Sequence, residues 1–162
     1  MIRDRRDQDL VHLCEVIGEL DDEVGSFARL EPQQWLQEMD AEVSWVFDQA
    51  PVSAAPTRNV VGHVQIYEPP DVAWARGLAG QTGGQAQHLL VIGKLFVKPS
   101  KHAYNIARFL LRESVQYADR QRAAAVLDPG SRARIPSSLP AKLGFTKVPT
   151  GKGGQLVRTS NE

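Results

Sequence analysis

Apolar residues in this chain fall into short continuous runs, which predict strands, and into helically spaced sets, which predict helices. The strongest run, LLVIGKLFV at 89–97, is rich in β-branched and aromatic residues and predicts a buried strand. Pro99 ends this strand, because proline has no amide hydrogen for a sheet ladder. After a polar turn, apolar side chains recur at helical spacing at Ile106, Phe109, Leu110 and Tyr117. The segment 89–117 is therefore predicted to be a strand, a turn and a helix.

The same patterns predict the other elements. A short strand within 1–6 precedes a helix with Asp7 as its N-cap, and that helix ends in the acidic segment 21–26. A second helix begins at Pro32. Further strands are predicted at 43–48, 60–67, 123–127, 145–148 and 155–158, and a short helix at 72–78. The loop 49–59 makes 43–67 a long hairpin, and Gly144 fits the position after a helix end, where φ is positive.

Length and composition favour one soluble domain. The chain has 162 residues, of which 42% are hydrophobic, enough for a single core spanning 1–162. No window of 18 apolar residues predicts a membrane span, and the charged start MIRDRRDQDL is no secretory signal. The single cysteine, Cys14, lies on an apolar helix face and cannot form an internal disulfide. It fits a structural thiol in the reducing cytoplasm.

Charge is distributed unevenly along the chain. Residues 1–50 carry 13 acids and 4 bases, whereas residues 51–162 carry 6 acids and 15 bases. The two halves could complement each other across the fold, or the basic half could bind an anion. The predicted helix N-terminus near 103 suits an anion, because the first turn of a helix leaves amide hydrogens unpaired. Nucleic acid fits less well, because the bases are scattered and few aromatic residues lie among them.

Three segments carry a resemblance to a known family. LFVKPS at 95–100, followed by IARFLL at 106–111, resembles the acetyl-CoA motif of the GNAT acyltransferase superfamily. VVGH at 60–63 is similar to the third strand of that superfamily, and LPAKLGF at 139–145 resembles its C-terminal signature. With the N-terminal helix, the resemblance covers nearly the whole chain. It implies an α/β fold of the α+β type, a mixed and mostly antiparallel sheet of six or seven strands with about four helices.

The resemblance implies acetyl-CoA as co-substrate and assigns residues to it. The turn that holds the pyrophosphate usually reads Arg/Gln-x-x-Gly-x-Gly/Ala. The corresponding residues here are His102, Ala103, Tyr104, Asn105, Ile106 and Ala107. Asn105 replaces a glycine, and asparagine tolerates positive φ best after glycine. The thioester carbonyl is expected to meet a backbone amide of the fourth strand, around Phe96 or Val97.

The catalytic side chains of the family are only partly matched. The usual tyrosine acid corresponds to Pro140, the usual asparagine to Ala133, and Ser138 is a nearby hydroxyl. The candidates for the general base are His88, His63 and Glu68. His63 and His88 could face each other across neighbouring strands, or either could be an exposed strand-edge residue. Trp74 is a candidate substrate contact in the loop 69–87, with packing at the core edge as the alternative. No His/Cys spacing predicts a metal site.

Three functions compete on this sequence. The first is an acetyl-CoA-dependent N-acetyltransferase acting on a primary amine of a small molecule or a protein. The second is a weakly active or inactive protein of the same fold that senses a ligand or binds a partner. The departures at Ala103, Asn105, Ala133 and Pro140 motivate this second function. The third is an unrelated anion-binding or nucleic-acid module. The fold also allows a homodimer, although no apolar stripe identifies an interface.

Overall fold

The computed structural model places seven strands in one sheet. It describes residues 1–24, 31–49, 59–71, 75–78, 88–132, 134–150 and 153–159. The strands are β1 (Ile2–Asp4), β2 (Val43–Asp48), β3 (Val60–Tyr67), β4 (Leu89–Val97), β5 (Ala124–Leu127), β6 (Thr146–Thr150) and β7 (Gly153–Arg158). The helices are α1 (Leu10–Val24), α2 (Pro32–Gln37), α3 (Ala103–Arg120), α4 (Pro129–Arg132) and α5 (Leu139–Lys142). Each of the predicted strands is present, so the predicted fold class is confirmed.

The strand order is β1-β2-β3-β4-β5-β7-β6, and one neighbouring pair is parallel. All pairs are antiparallel except β4 and β5. These two strands pair only from Leu89 opposite Ala124 to Ile92 opposite Leu127. Because β5 ends there while β4 continues to Val97, the two strands separate, and this edge of β4 has no strand partner among the described residues.

Helices cover both faces of the sheet. Helix α3 packs over β3 and β4, where Leu110 and Leu111 join Ile92 and Leu95 in one core cluster. Helices α1 and α2 cover the opposite face, where Leu13 and Leu36 pack with Phe96. Among the described residues, no helix is long and apolar enough to span a membrane.

A bulge changes the direction of side chains in the middle of β4. Gln65 lies opposite Gly93, but His63 lies opposite Phe96, so β4 has one extra residue between these rungs. Lys94, within this extra length, has a φ of 52°. The bulge directs Lys94 towards α2, where it contacts Trp35, and Leu95 towards the α3 cluster. Sequence periodicity did not predict this bulge.

One local prediction at a helix start was wrong. Asp7 does not cap α1, because residues 7–9 form a 3₁₀ turn and the Asp9 carboxylate accepts the Arg6 amide at 2.8 Å. Asn105 needs no positive φ, because it lies inside α3. Gly144 does have the predicted positive φ, at 90°. Of the predicted 72–78 helix, residues 75–78 are helical and 72–74 lie outside the described residues, as does most of the loop 49–59.

Candidate active site

The start of α3 presents two backbone amides that no described group accepts. His102 is the N-cap; its amide donates to Ser100 Oγ at 3.2 Å, and the Ile106 amide donates to the His102 carbonyl at 3.1 Å. The amides of Tyr104 and Asn105, between these bonds, have no acceptor among the described residues. Unpaired amides at the positive end of an 18-residue helix are groups with which an anion interacts favourably.

Exposed cationic residues surround this helix start. Lys101 precedes the helix, and Arg108 lies one turn into it. Lys142 of α5 reaches back to the same turn, where its Nζ donates to the Tyr104 hydroxyl at 3.2 Å. Tyr104 itself is half-buried. The positive charge of the second half of the sequence is therefore partly gathered around the two free amides.

Two amides of β4 face the gap that opens beyond β5. The Lys98 amide donates to the Val61 carbonyl at 2.7 Å, and Phe96 lies opposite His63, so the backbone polar groups of these residues face β3. Backbone groups alternate sides along a strand. The amides of Leu95 and Val97 therefore face the other way, towards the side from which β5 has diverged. Of the expected pair, Val97 and not Phe96 is placed to donate into this gap.

Residues 128–131 run along the opened edge of β4. The Asp128 amide donates to the Ile92 carbonyl at 2.9 Å, next to the last β4–β5 rung. Three residues later, Ser131 Oγ accepts the Leu95 amide at 3.2 Å. Ser131 is buried, with 3% of its surface exposed. One of the two gap-facing amides of β4 is thus already occupied by a hydroxyl group.

A tyrosine and a carboxylate meet at the point where β4 and β5 separate. The Tyr67 hydroxyl donates to Asp128 Oδ2 at 2.7 Å, while Asp128 Oδ1 accepts the Gly130 amide at 2.8 Å. Tyr67 reaches Asp128 by crossing over Gly93, where an added Cβ would lie 2.8 Å from its Cε1. Burial raises the pKa of Tyr67 far above its ordinary value, and the negative charge of Asp128 raises it further. Tyr67 is therefore a permanent hydrogen-bond donor.

Solved structures share this architecture, although no family model and no curated protein matches the sequence. Arabidopsis thaliana NAA60 in complex with acetyl-CoA aligns with a TM-score of 0.67 and 16% identity over 98% of both chains. A GNAT family acetyltransferase from Staphylococcus aureus Mu50 gives 0.68 and 12% identity over 99% of both chains. One from Brucella melitensis, in complex with acetyl-CoA, gives 0.59 and 17% identity over 100% of this chain and 88% of that chain. The chain has the GNAT fold.

Within the GNAT fold, His63 lies where it cannot exchange protons with a substrate. It is fully buried, its Nδ1 donates to the Lys94 carbonyl at 2.8 Å, and its Nε2 accepts from Arg5 Nη1 at 3.0 Å. Burial lowers the pKa of His63 to about 3, and the positive charges of Arg5 and Lys94 act in the same direction. His63 is a neutral structural residue, and the suggestion that it acts as a base is not supported.

His88 and Glu68 also lie away from the gap. His88 is exposed and precedes β4, so six residues, about 20 Å of strand, separate it from the bulge. Because His63 lies opposite Phe96, near the other end of β4, the two histidines do not face each other. Glu68 is exposed beyond the end of β3. Neither His88 nor Glu68 is placed to serve the start of α3 or the β4 edge.

The other residues that the GNAT resemblance assigned to the site lie partly in the core and partly at the surface. Ile106 and Ala107 are buried in α3, where they pack in the main core cluster, and Ala103 lies at its edge. Ser138 is exposed at the N-cap of α5, and Pro140 is buried within that helix. Trp74 and Ala133 lie outside the described residues.

Four residues near this site were not predicted from the sequence. Tyr67, Asp128 and Ser131 meet β4 only through the register of the sheet, and Lys94 is set by the bulge. The signals available were weak: Asp128-Pro129-Gly130 indicated only a turn, and Gly93 interrupts an otherwise bulky strand. Lys94 Nζ lies 2.7 Å from Glu38 Oε2 and 4.3 Å from the centre of the Trp35 ring, so it fastens α2 to the sheet.

Proposed function

We propose that this protein is an N-acetyltransferase that moves the acetyl group of acetyl-CoA to a primary amine of a small molecule or a protein. The observation that carries the proposal is the pair of unpaired amides, Tyr104 and Asn105, at the start of α3 and directly beyond the opened edge of β4. A diphosphate at these amides would leave the pantetheine chain alongside the Val97 amide. The fold supports the proposal, because two neighbouring structures were obtained in complex with acetyl-CoA.

Few protein groups are needed for this reaction. A backbone amide of β4 polarises the thioester carbonyl, and this donor does not depend on the side chain. Lys101 and Arg108 supply positive charge for the phosphates of coenzyme A. The absence of the usual tyrosine at Pro140 means that another group, or water, returns a proton to the departing thiolate. The lone, half-buried Cys14 fits a cytoplasmic enzyme and no thiol chemistry.

The variant Asn105→Asp tests the diphosphate site with little effect on the fold. Aspartate replaces asparagine with the same shape, and a carboxylate in the first turn stabilises a helix by about 0.3–1 kcal/mol. The same carboxylate repels a diphosphate, so we expect acetyl-CoA affinity, measured by isothermal titration, to fall at least tenfold while the melting temperature is kept.

Gln116→Glu is the matched control, because it adds the same charge to the same helix eleven residues later, at an exposed position. We expect it to bind acetyl-CoA within about twofold of the wild-type affinity. Wild-type protein that does not bind acetyl-CoA at millimolar concentration would refute the proposed function.

One observation favours the second function, a ligand sensor of the same fold. The Leu95 amide, which faces the gap, is held by Ser131 Oγ at 3.2 Å, so one potential donor to the thioester is occupied. A sensor would bind acetyl-CoA without consuming it. Thiol release from acetyl-CoA in the presence of simple amines separates the two functions.

A further inference from the structure

We propose that Asp128, held in place by the Tyr67 hydroxyl, accepts the proton of the amine during acetyl transfer. This inference rests on the proposed function of the same site. It concerns a pair of side chains that sequence motifs did not indicate, since the two residues are 61 positions apart.

The position of Asp128 suits a group that acts at the thioester. Its amide donates to the Ile92 carbonyl at 2.9 Å, so it lies beside the last rung before β4 and β5 separate. Ser131, on the next turn of the same segment, bonds to the Leu95 amide. Residues 128–131 therefore border the part of β4 whose amides face the gap, and the Asp128 side chain lies at the closed end of that gap.

The contact with Tyr67 is not explained by the local turn. Capping of the turn uses only Oδ1, which accepts the Gly130 amide at 2.8 Å. Oδ2 accepts a separate hydrogen bond from the Tyr67 hydroxyl. Tyr67 is buried, with 3% of the residue surface exposed. Gly93 provides the space for this contact, because an added Cβ would overlap the Tyr67 hydroxyl. Residues of β3 and β4 therefore hold the carboxylate of Asp128, which follows β5.

The carboxylate keeps free capacity for an amine. Each oxygen of a carboxylate has two lone pairs, and each oxygen of Asp128 uses one in the bonds above. The Asp128 residue is only partly buried, so an incoming amine can reach it. A proton acceptor must come within hydrogen-bond distance of the proton that it takes, and the remaining lone pairs allow this.

The proposed step balances without an outside acid or base. The lone pair of the neutral amine forms a bond to the thioester carbon, and one N–H proton passes to the Asp128 carboxylate. The carbon–sulfur bond then breaks, and its electron pair leaves with sulfur. Asp128 returns the proton to the sulfur, which gives the free thiol of coenzyme A, the acetylated amine and the starting carboxylate.

Other charged groups surround the pair. Glu38 of α2 adds negative potential at Tyr67 and is itself bonded to Lys94 of β4 at 2.7 Å. Arg134, beyond α4, donates to the Gly130 carbonyl. The pH dependence of the reaction must therefore be read from variants that leave Glu38, Lys94 and Arg134 in place.

The test follows thiol release from acetyl-CoA with n-butylamine and glycinamide as amine probes, across a range of pH. We expect Asp128→Asn to lower kcat by about 10²- to 10⁴-fold, the usual contribution of a general base, while the acetyl-CoA Kd stays within about twofold. We expect Tyr67→Phe to lower kcat by about tenfold at an unchanged acetyl-CoA Kd, because the carboxylate loses the hydrogen bond that holds it in position.

Tyr117 and Glu42 supply the matched controls. The Tyr117 hydroxyl donates to Glu42 Oε2 at 3.0 Å, which makes a second tyrosine–carboxylate pair. Tyr117 is half-buried on α3, and this hydrogen bond is exposed and lies away from the gap. Tyr117→Phe and Glu42→Gln should keep the wild-type kcat and pH profile. Tyr67→Phe retains the carboxylate, so its loss of kcat at an unchanged acetyl-CoA Kd tests the proposal even if Asp128→Asn fails to fold.

The outcomes separate this inference from the proposed function. Turnover of Asp128→Asn within a few-fold of wild type, with an unchanged kcat in Tyr67→Phe, would overturn the role of Asp128. Wild-type protein that binds acetyl-CoA but releases no thiol with either amine would also overturn it, while leaving acetyl-CoA binding intact. Failure of the wild-type protein to bind acetyl-CoA would instead refute the proposed function.

Discussion

The hydroxyl of Ser131 lies 3.2 Å from the Leu95 amide nitrogen, so one of the two gap-facing amides of β4 already has an acceptor. An amide that serves the thioester must first give up this bond. A hydrogen bond of this kind contributes a net 0.5–1.5 kcal/mol or so. Binding of the acetyl group at the Leu95 amide is therefore less favourable by a small but measurable free energy.

Removal of the Ser131 hydroxyl is expected to strengthen the binding of acetyl-CoA. In Ser131→Ala the Leu95 amide is free, so the KM for acetyl-CoA should fall roughly two- to tenfold, the range that corresponds to one such bond. Steady-state kinetics at saturating amine measure this change. Ser137→Ala, at an exposed position nearby, is the control and should keep the wild-type KM. A rise in KM for Ser131→Ala would mean instead that the hydroxyl itself contacts the substrate.

Helix α3 approaches β3 closely because Gly62 has no side chain. An added Cβ at Gly62 would lie 2.9 Å from Leu110 Cδ1 and 3.3 Å from Ile106 Cγ2, both in the buried core. Gly18 in α1 is the opposite case, since an added Cβ there meets nothing within 4 Å. A side chain added at Gly62 therefore tests the close packing of α3 on β3, whereas one added at Gly18 tests helix propensity alone.

The two matched glycine-to-alanine substitutions should change the free energy of unfolding in opposite directions. Gly62→Ala overfills the contact between α3 and β3 and is expected to lower the free energy of unfolding by about 1–3 kcal/mol. Gly18→Ala, at an exposed position in a helix interior, should raise it by about 0.5–1 kcal/mol. Urea denaturation of both variants measures the difference. Equal effects of the two substitutions would contradict the packing argument.

The elements could be predicted from sequence, whereas the contacts between them could not. The segment 89–117 predicted β4 and α3, because strand and helix periods are local and strong there. His63 was misjudged as a base, because burial and its partners Arg5 and Lys94 come from distant parts of the chain. Tyr67 and Asp128 were missed because their contact depends on the pairing of β3, β4 and β5 and on the space above Gly93.

At the scale of the whole molecule, the acidic and basic halves of the sequence meet in the folded state. Glu38 pairs with Lys94 at 2.7 Å, and Glu19 lies 4.0 Å from Lys98. Other acids of the first half are used within it, since Asp9 and Asp48 both bind Arg3. Lys101 and Arg108 are exposed near the start of α3. The charge asymmetry therefore serves both internal pairing and the proposed anion site.

Global stability should depend on pH through His63. Its pKa is about 3 in the folded state and about 6.5 in an unfolded chain. The unfolded state therefore binds the proton first, so stability is full at neutral pH and falls as the pH drops through this interval. Between pH 7 and pH 4.5 the expected loss from this group is about 2.5 kcal/mol.

Guanidinium denaturation at several pH values measures this dependence. His63→Asn should be less stable than wild type at pH 7 and should lose most of the slope between pH 7 and pH 4.5. His88→Asn, at an exposed position, is the control and should keep the wild-type slope. A wild-type slope in His63→Asn would show that other groups cause the acid sensitivity.

The left-handed backbone of Lys94 has a consequence for laboratory evolution. A φ of 52° costs a lysine roughly 1–2 kcal/mol that glycine would not incur. Selection for heat resistance alone should therefore sample glycine or asparagine at position 94. Such replacements would relax the main chain but detach the side chain that joins Glu38 and Trp35 to the sheet. A mutational library at this single codon would reveal whether rigidity or turnover is the property that keeps a lysine there.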